Sequence, residues 1–168
     1  LWFACLPTTA GTGSETTIAA VITDTTTHDK FPMTDPLIRA RYAVLDPELT
    51  VGLPKHITST TGLDALTHAV EGYTNIWYND RKFNEFGKEA VKLIFQWLEV
   101  AYNEPENIEA RSKMLLASYD AGMCFPRGGV GYVHGIGHRL GGLYGVPHGL
   151  AMATILTHVF SDDLLFPY

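Results

Sequence analysis

Cysteine is nearly absent from this sequence. Cys5 and Cys124 are the only two in 168 residues, far apart and in apolar surroundings, which is too few for a disulfide framework or a cysteine-built zinc site. A reducing compartment, the cytoplasm, is therefore expected. Also lacking is any apolar run near the roughly 20 residues that a membrane-spanning helix needs. No basic leader precedes an apolar stretch with a cleavage site, so no membrane partner is expected. Positive charge is sparse: 12 basic residues face 18 acidic ones, a formal charge of −6. With no Lys/Arg cluster to neutralise a run of phosphates, nucleic acid is not an expected partner. Internal repeats and low-complexity linkers are missing too. What is there, 46% hydrophobic and 18% charged residues, suits a globular chain with a sizeable core rather than a disordered, collagen-like or coiled-coil one. The chain opens without Met, on the apolar run of LWFACLPTTAGTG, which reads like a strand already inside a sheet. The expectation is a piece of something longer.

The first third is rich in Thr, β-branched residues and turn formers, which suits short strands joined by loops. A buried strand is expected at 1–6, a second strand at 17–23 and a short third at 42–45, with Asp35-Pro36 and Asp46-Pro47 as breaks. From about Leu49 the pattern turns helical. Pro54 can sit in a first turn, and Thr60 or Thr61 can cap a helix through LDALTHAVEGY. Asp80 is an expected N-cap for a helix to Tyr102, where Phe83, Phe86, Ala90, Ile94, Phe95, Leu98 and Ala101 recur at helical spacing and predict a core stripe. Asn107 is the expected cap of a helix through Cys124. After a Gly-rich break at Gly128-Gly129, helices are expected at 134–143 and 148–160. The predicted fold class is mainly α: a strand-rich portion over residues 1–48, then an all-helical portion over 49–168.

Of seven histidines, four stand in unusual contexts. Asp64 and His68 are four apart in a helical pattern, so both side chains leave one face about one turn apart. In VHGIGHRLGGLYGVPHG, His134, His138 and His148 alternate with glycines that let backbone approach closely. Imidazoles with one carboxylate and no thiolate suit Zn²⁺ or Fe²⁺ and suit the oxygen-seeking Ca²⁺ and Mg²⁺ poorly. Helical spacing favours His134 with His138 as ligands, and nothing in the pattern ranks His148 against His138. A second candidate is PTTAGTGSETT, where small residues and hydroxyls after a strand can present N–H and O–H groups to a phosphate or ribose. It lacks the GK[ST] of a P-loop and is not GxGxxG before a helix.

Together these segments resemble the iron-dependent (group III) alcohol dehydrogenase family. The likeness rests on PTTAGTGSE from Pro7, LDPELT from Leu45, GLDALTHAVEGY from Gly62 and HGIGHRLGGLYGVPHG from His134; it runs over essentially the whole chain. It implies a two-domain NAD(P)-dependent oxidoreductase of dehydroquinate synthase-like architecture. Residues 1–48 would be the last strands of an α/β nucleotide-binding domain, and 49–168 a helical metal-binding domain. The resemblance implies metal ligands at Asp64, His68, His134 and His148, which moves His138 to a catalytic, proton-relay position. It implies dinucleotide contacts at Thr8, Thr9, Thr12, Lys30 and Leu49. The family's GGGS-type pyrophosphate loop belongs upstream of PTTAGTGSE, and its last helices belong after His158; neither is in this sequence.

The implied cofactors are Fe²⁺, or Zn²⁺, and NAD or NADP. The implied reaction is hydride transfer between a small alcohol or aldehyde and the nicotinamide, by a homo-oligomeric enzyme. Glu71 is a candidate to orient a ligand by hydrogen bonding, against the plainer expectation of an exposed helix glutamate. Two alternatives stand beside this reading: a glycerol-dehydrogenase-like polyol oxidoreductase, and a metal-binding helical fragment without turnover.

Overall fold

The computed structural model describes residues 2–27, 30–75, 80–125 and 129–161. Among these residues four short strands lead into five α-helices. Strand β1 (Ala4–Cys5) pairs in parallel with β4 (Tyr42–Ala43), in the register Ala4 to Tyr42. Strand β2 (Ala19–Thr23) pairs antiparallel with β3 (Lys30–Thr34), in the register Ala19 to Thr34. The sequence pattern did not mark β3, because Pro32 lies mid-strand opposite Val21 and a proline has no N–H for the ladder. The expected burial of the opening strand is also corrected: Trp2, Phe3 and Leu6 are exposed, since β1 has a sheet neighbour on one side only among the described residues.

Helix α1 spans Lys55–Thr74, α2 Asn84–Asn103, α3 Ile108–Cys124, α4 Tyr132–Tyr144 and α5 His148–Val159. α1 starts directly after Pro54 rather than at the two threonines. Thr60 and Thr61 instead donate their hydroxyls back to the carbonyls of His56 and Ile57, at 2.7 and 2.8 Å, the usual refuge of a threonine inside a helix. Asp80 does cap, accepting from the Lys82 N–H and opening the 3₁₀ turn Arg81–Phe83 that runs into α2. Asn107 caps α3 by accepting from the Ala110 N–H at 3.0 Å.

The core lies where α1, α2 and α3 meet. Ala65, Ala69, Ala90, Ala101, Ala110, Ala117 and Ala121 are all fully buried there with Leu93, Ile94 and Met114; side chains this small let three helix axes approach. Phe95 departs from the expected stripe and is 75% exposed. At about 100° per residue it falls well round the helix from Ala90 and Ala101, and Leu93 takes the buried place. Arg111 ties α3 to its neighbours, donating from Nη1 to the Thr58 hydroxyl and from Nε to the Pro105 carbonyl, both at 2.8 Å. A second apolar cluster joins α4 to α5 through Val133, Met152, Ile155 and Val159. Between those helices Gly145 takes a left-handed conformation at φ 67°, which glycine adopts at no steric cost.

Candidate metal centre

Three helices deliver four side chains to one point. Asp64 and His68 leave α1 one turn apart, His134 comes from the first turn of α4, and His148 is the first residue of α5. α5 lies close on α1 because Gly149 packs against the Thr60 backbone, where a Cβ would collide with the carbonyl. Oδ1 of Asp64 sits 3.9 Å from Nε2 of His68, 3.6 Å from Nε2 of His134 and 3.3 Å from Nε2 of His148. Ligand atoms each about 2.0–2.2 Å from a tetrahedral ion would lie about 3.3–3.6 Å apart. The observed separations are close to that spacing and long for direct hydrogen bonds.

The remaining ring nitrogens bear this out. Nδ1 of His68 lies 3.3 Å from the Gly11 carbonyl, and Nδ1 of His134 lies 2.6 Å from Oε2 of Glu71. Both acceptors require an N–H at Nδ1, which turns each Nε2 toward Asp64. Two atoms facing the gap, Oδ1 of Asp64 and Nε2 of His134, are fully buried and lack a hydrogen-bond partner. A buried acceptor without a partner is costly, and a divalent cation satisfies both atoms at once. The residues fit a transition-metal ion.

Charge in the pocket points the same way. Burial works to raise the Asp64 carboxyl, but the imidazoles of His68, His134 and His148 outweigh it and hold the carboxyl well below the usual range. Burial pushes His68 down to about 4. For His134 burial acts downward as well, yet the carboxylates of Asp64 and Glu71 prevail and lift it to about 9. Two buried anions flank this imidazole and hold positive charge there, carried by the His134 proton when no cation is bound. The exposed side lies at His148, whose side chain is 37% accessible.

His138 stands at the edge of this cluster rather than within it. Its ring is 5.7 Å from that of His134, edge-on, and stacks 5.2 Å from that of His148. Among the described residues Asp64, His68 and His134 bring ligand atoms within 4.8 Å of one another; His148 lies outside that mutual group and joins it through Oδ1 of Asp64, 3.3 Å from its Nε2, whereas His138 meets the cluster through ring contacts with His134 and His148. Thr8 and Thr12 are exposed and Thr9 half-buried on the loop after β1, and Leu49 is exposed in the 3₁₀ turn Pro47–Thr50. Lys30 opens β3, and its side chain lies outside the described residues. Glu71 corrects the plainer expectation: it is 2% exposed. A sequence signal for it exists, since positions 64, 68 and 71 share one face of α1. Two contacts carried no such signal, the Gly11 carbonyl and the ring of Phe125, which stacks 4.7 Å from His68.

One carboxylate and three imidazoles, with Asp64, His68 and His134 buried and His148 at the accessible edge, thus surround a gap in a helical domain beside a short strand-rich segment. Residues 58–164 match the Fe-containing alcohol dehydrogenase family, C-terminal, and residues 1–47 match iron-containing alcohol dehydrogenase. The chain belongs to the iron-containing alcohol dehydrogenase family. It is 44% identical over 154 residues to 1-propanol dehydrogenase of Citrobacter freundii, covering 92% of this chain and 41% of that protein. It is 43% identical to the NAD-dependent methanol dehydrogenase of Bacillus methanolicus, covering 95% and 42%. Its fold superposes on 1,3-propanediol oxidoreductase with a TM-score of 0.89 at 40% identity, covering 94% of this chain and 41% of that one. It superposes on sulfoacetaldehyde reductase of Bifidobacterium kashiwanohense, solved with NAD⁺, with a TM-score of 0.86 at 38% identity, covering 94% and 42%. The chain thus spans about two fifths of the length of these relatives.

Proposed function

We propose that this chain carries the metal-holding part of an NAD(P)-dependent alcohol dehydrogenase, with Asp64, His68, His134 and His148 as ligands for Fe²⁺ or Zn²⁺. The observation that carries it is the convergence of three Nε2 atoms on Oδ1 of Asp64 while the Nδ1 atoms of His68 and His134 are engaged elsewhere. When bound, the ion supplies Lewis-acid polarisation of a substrate oxygen and the nicotinamide supplies hydride exchange. The protein's part is placement. Asp64 contributes the one ligand charge, the imidazoles are neutral donors, and burial of Asp64, His68 and His134 keeps water from three sides. The accessible edge at His148 is where substrate would enter. There an imidazole nitrogen of His138 can take or return the hydroxyl proton. Hydroxyls of Thr8, Thr9 and Thr12 would face the dinucleotide, Leu49 would supply an apolar wall, and Lys30 is kept as a proposed contact on the family resemblance.

The 1-propanol, methanol and 1,3-propanediol dehydrogenases among the relatives support a small primary alcohol or its aldehyde as substrate. On this reading residues 1–48 close a nucleotide-binding domain and 49–168 form the helical domain. A cytoplasmic homo-oligomer is the expected setting, without a nucleic-acid partner. Among the described residues no helix is long and apolar enough to cross a membrane. Metal content after loading with Fe²⁺ or Zn²⁺, followed by NAD(P)H oxidation with short aldehydes, tests the proposal. One equivalent of metal with turnover supports it in full. Metal without turnover supports the pocket but assigns activity to a longer polypeptide, the reading favoured by the two-fifths coverage; no metal uptake refutes it.

A further inference from the structure

Glu71 is a carboxylate with no part in the ligand set, yet it is among the most completely buried side chains and both of its oxygens are engaged. Oε2 accepts from Nδ1 of His134 and Oε1 accepts from the backbone N–H of Val133, each at 2.6 Å. The second contact matters for α4. That helix has Gly131 at its N-cap, with no side chain to accept from the N–H groups of the first turn, which lack partners inside the helix. Glu71 reaches across from α1 and does the capping, and its negative charge lies at the positive end of the α4 dipole. Gly131 makes the approach possible: a Cβ there would lie 2.7 Å from Oε1 of Glu71.

We propose that Glu71 is a positioning residue that joins α1 to the start of α4, holding His134 with its proton on Nδ1 and its Nε2 turned to the metal gap. The proposal rests on the reading of the pocket as a metal centre. Its physical content is that one face of α1 supplies two ligands, Asp64 and His68, and orients a third from another helix through residue 71. Ligand orientation and capping of α4 then depend on the same carboxylate. A histidine tethered in this way binds its ion without first losing ring rotation and tautomer freedom, the common role of a carboxylate behind a metal-bound imidazole.

Glu71→Gln keeps size and one acceptor but turns an NH₂ toward either Nδ1–H of His134 or the Val133 N–H; Glu71→Ala removes both acceptors. In the metal-free 168-residue chain, amide exchange at Val133 is expected to quicken in Glu71→Ala. In the Zn²⁺-loaded chain, the downfield His134 Nδ1–H proton resonance is expected to shift in Glu71→Gln and vanish in Glu71→Ala. Zn²⁺ affinity, from competition with a chelator, is expected to fall about 10- to 100-fold in Glu71→Gln while its helical circular dichroism is kept. A purely structural glutamate would leave the Nδ1–H resonance and the affinity of the folded Gln variant unchanged. Zn²⁺ affinity in Glu71→Gln within about twofold of wild type, or unchanged Val133 exchange in Glu71→Ala, overturns the role of Glu71 and leaves the metal centre standing. A wild-type chain that takes up no Zn²⁺ overturns both.

Discussion

His68 donates from Nδ1 to the carbonyl of Gly11, 3.3 Å away and 57 residues earlier in the chain. The loop proposed to face the dinucleotide thereby also sets the orientation of a proposed metal ligand. That loop lies flat on α1 because residue 11 has no side chain; a methyl there would lie 2.6 Å from Cβ of Thr61 and 2.8 Å from its carbonyl. Gly11→Ala is expected to lift the loop from α1, destabilise the chain by about 1–3 kcal/mol and weaken Zn²⁺ binding as His68 loses its acceptor. Thermal melting and chelator competition measure the two effects. Unaltered metal affinity would show that the Gly11 carbonyl does not orient His68.

The four ligands differ from His138 in what their loss should do. Asp64→Ala, His68→Ala, His134→Ala and His148→Ala are each expected to lose stoichiometric metal, read by elemental analysis after gel filtration. His138→Ala is expected to keep one equivalent, because its ring lies at the rim of the cluster. Metal retained in any of the first four, or lost in the last, reverses the assignment.

Asp120 on α3 is buried without a role in the pocket. Burial first, and then the charge of Glu89, push its carboxyl up to about 6. A pKa raised in the folded state means the protonated form is the better tolerated one. Its contribution is intact below about 4 and is lost as pH climbs through about 6. The difference is at most about 3 kcal/mol. Asp120→Asn should therefore melt higher than wild type at pH 8, with the gap closing toward pH 4. Equal melting of the two chains at pH 8 would show the carboxylate to be solvated.

Leu115 and Phe95 make a matched pair for the core. Leu115 is fully buried and Phe95 is 75% exposed. Leu115→Ala is expected to cost about 2–5 kcal/mol, whereas Phe95→Ser should change stability by no more than about 0.5 kcal/mol. Urea unfolding of both variants gives the comparison. A large loss at residue 95 would mean that Phe95 is covered in solution, as in a homo-oligomer.

Local signals were legible where they act over one or two turns. Asn107 and Asp80 cap as their side chains and positions suggest, and the breaks at Asp35-Pro36 and Asp46-Pro47 become capped 3₁₀ turns. The failures lie where two local choices have similar energy. Thr60 and Thr61 can cap a helix or bond back inside one, and Pro54 decided the matter by starting the helix at Lys55. β3 was hidden because its pairing partner, not its own composition, makes it a strand.

The amino-acid order by itself determined the helices, their caps and the pairing of Asp64 with His68, because residues four apart on a helix have no choice of neighbour. The family resemblance, carried by short motifs, chose His148 over His138. Only the tertiary structure decided that the Nε2 atoms of three separated histidines meet at one carboxylate oxygen, and that Glu71 is interior. Each of those outcomes depends on how closely α4 and α5 approach α1. That distance is set by the absence of side chains at Gly131 and Gly149 and by the packing of whole helices, and such long-range geometry leaves no periodic trace in the sequence.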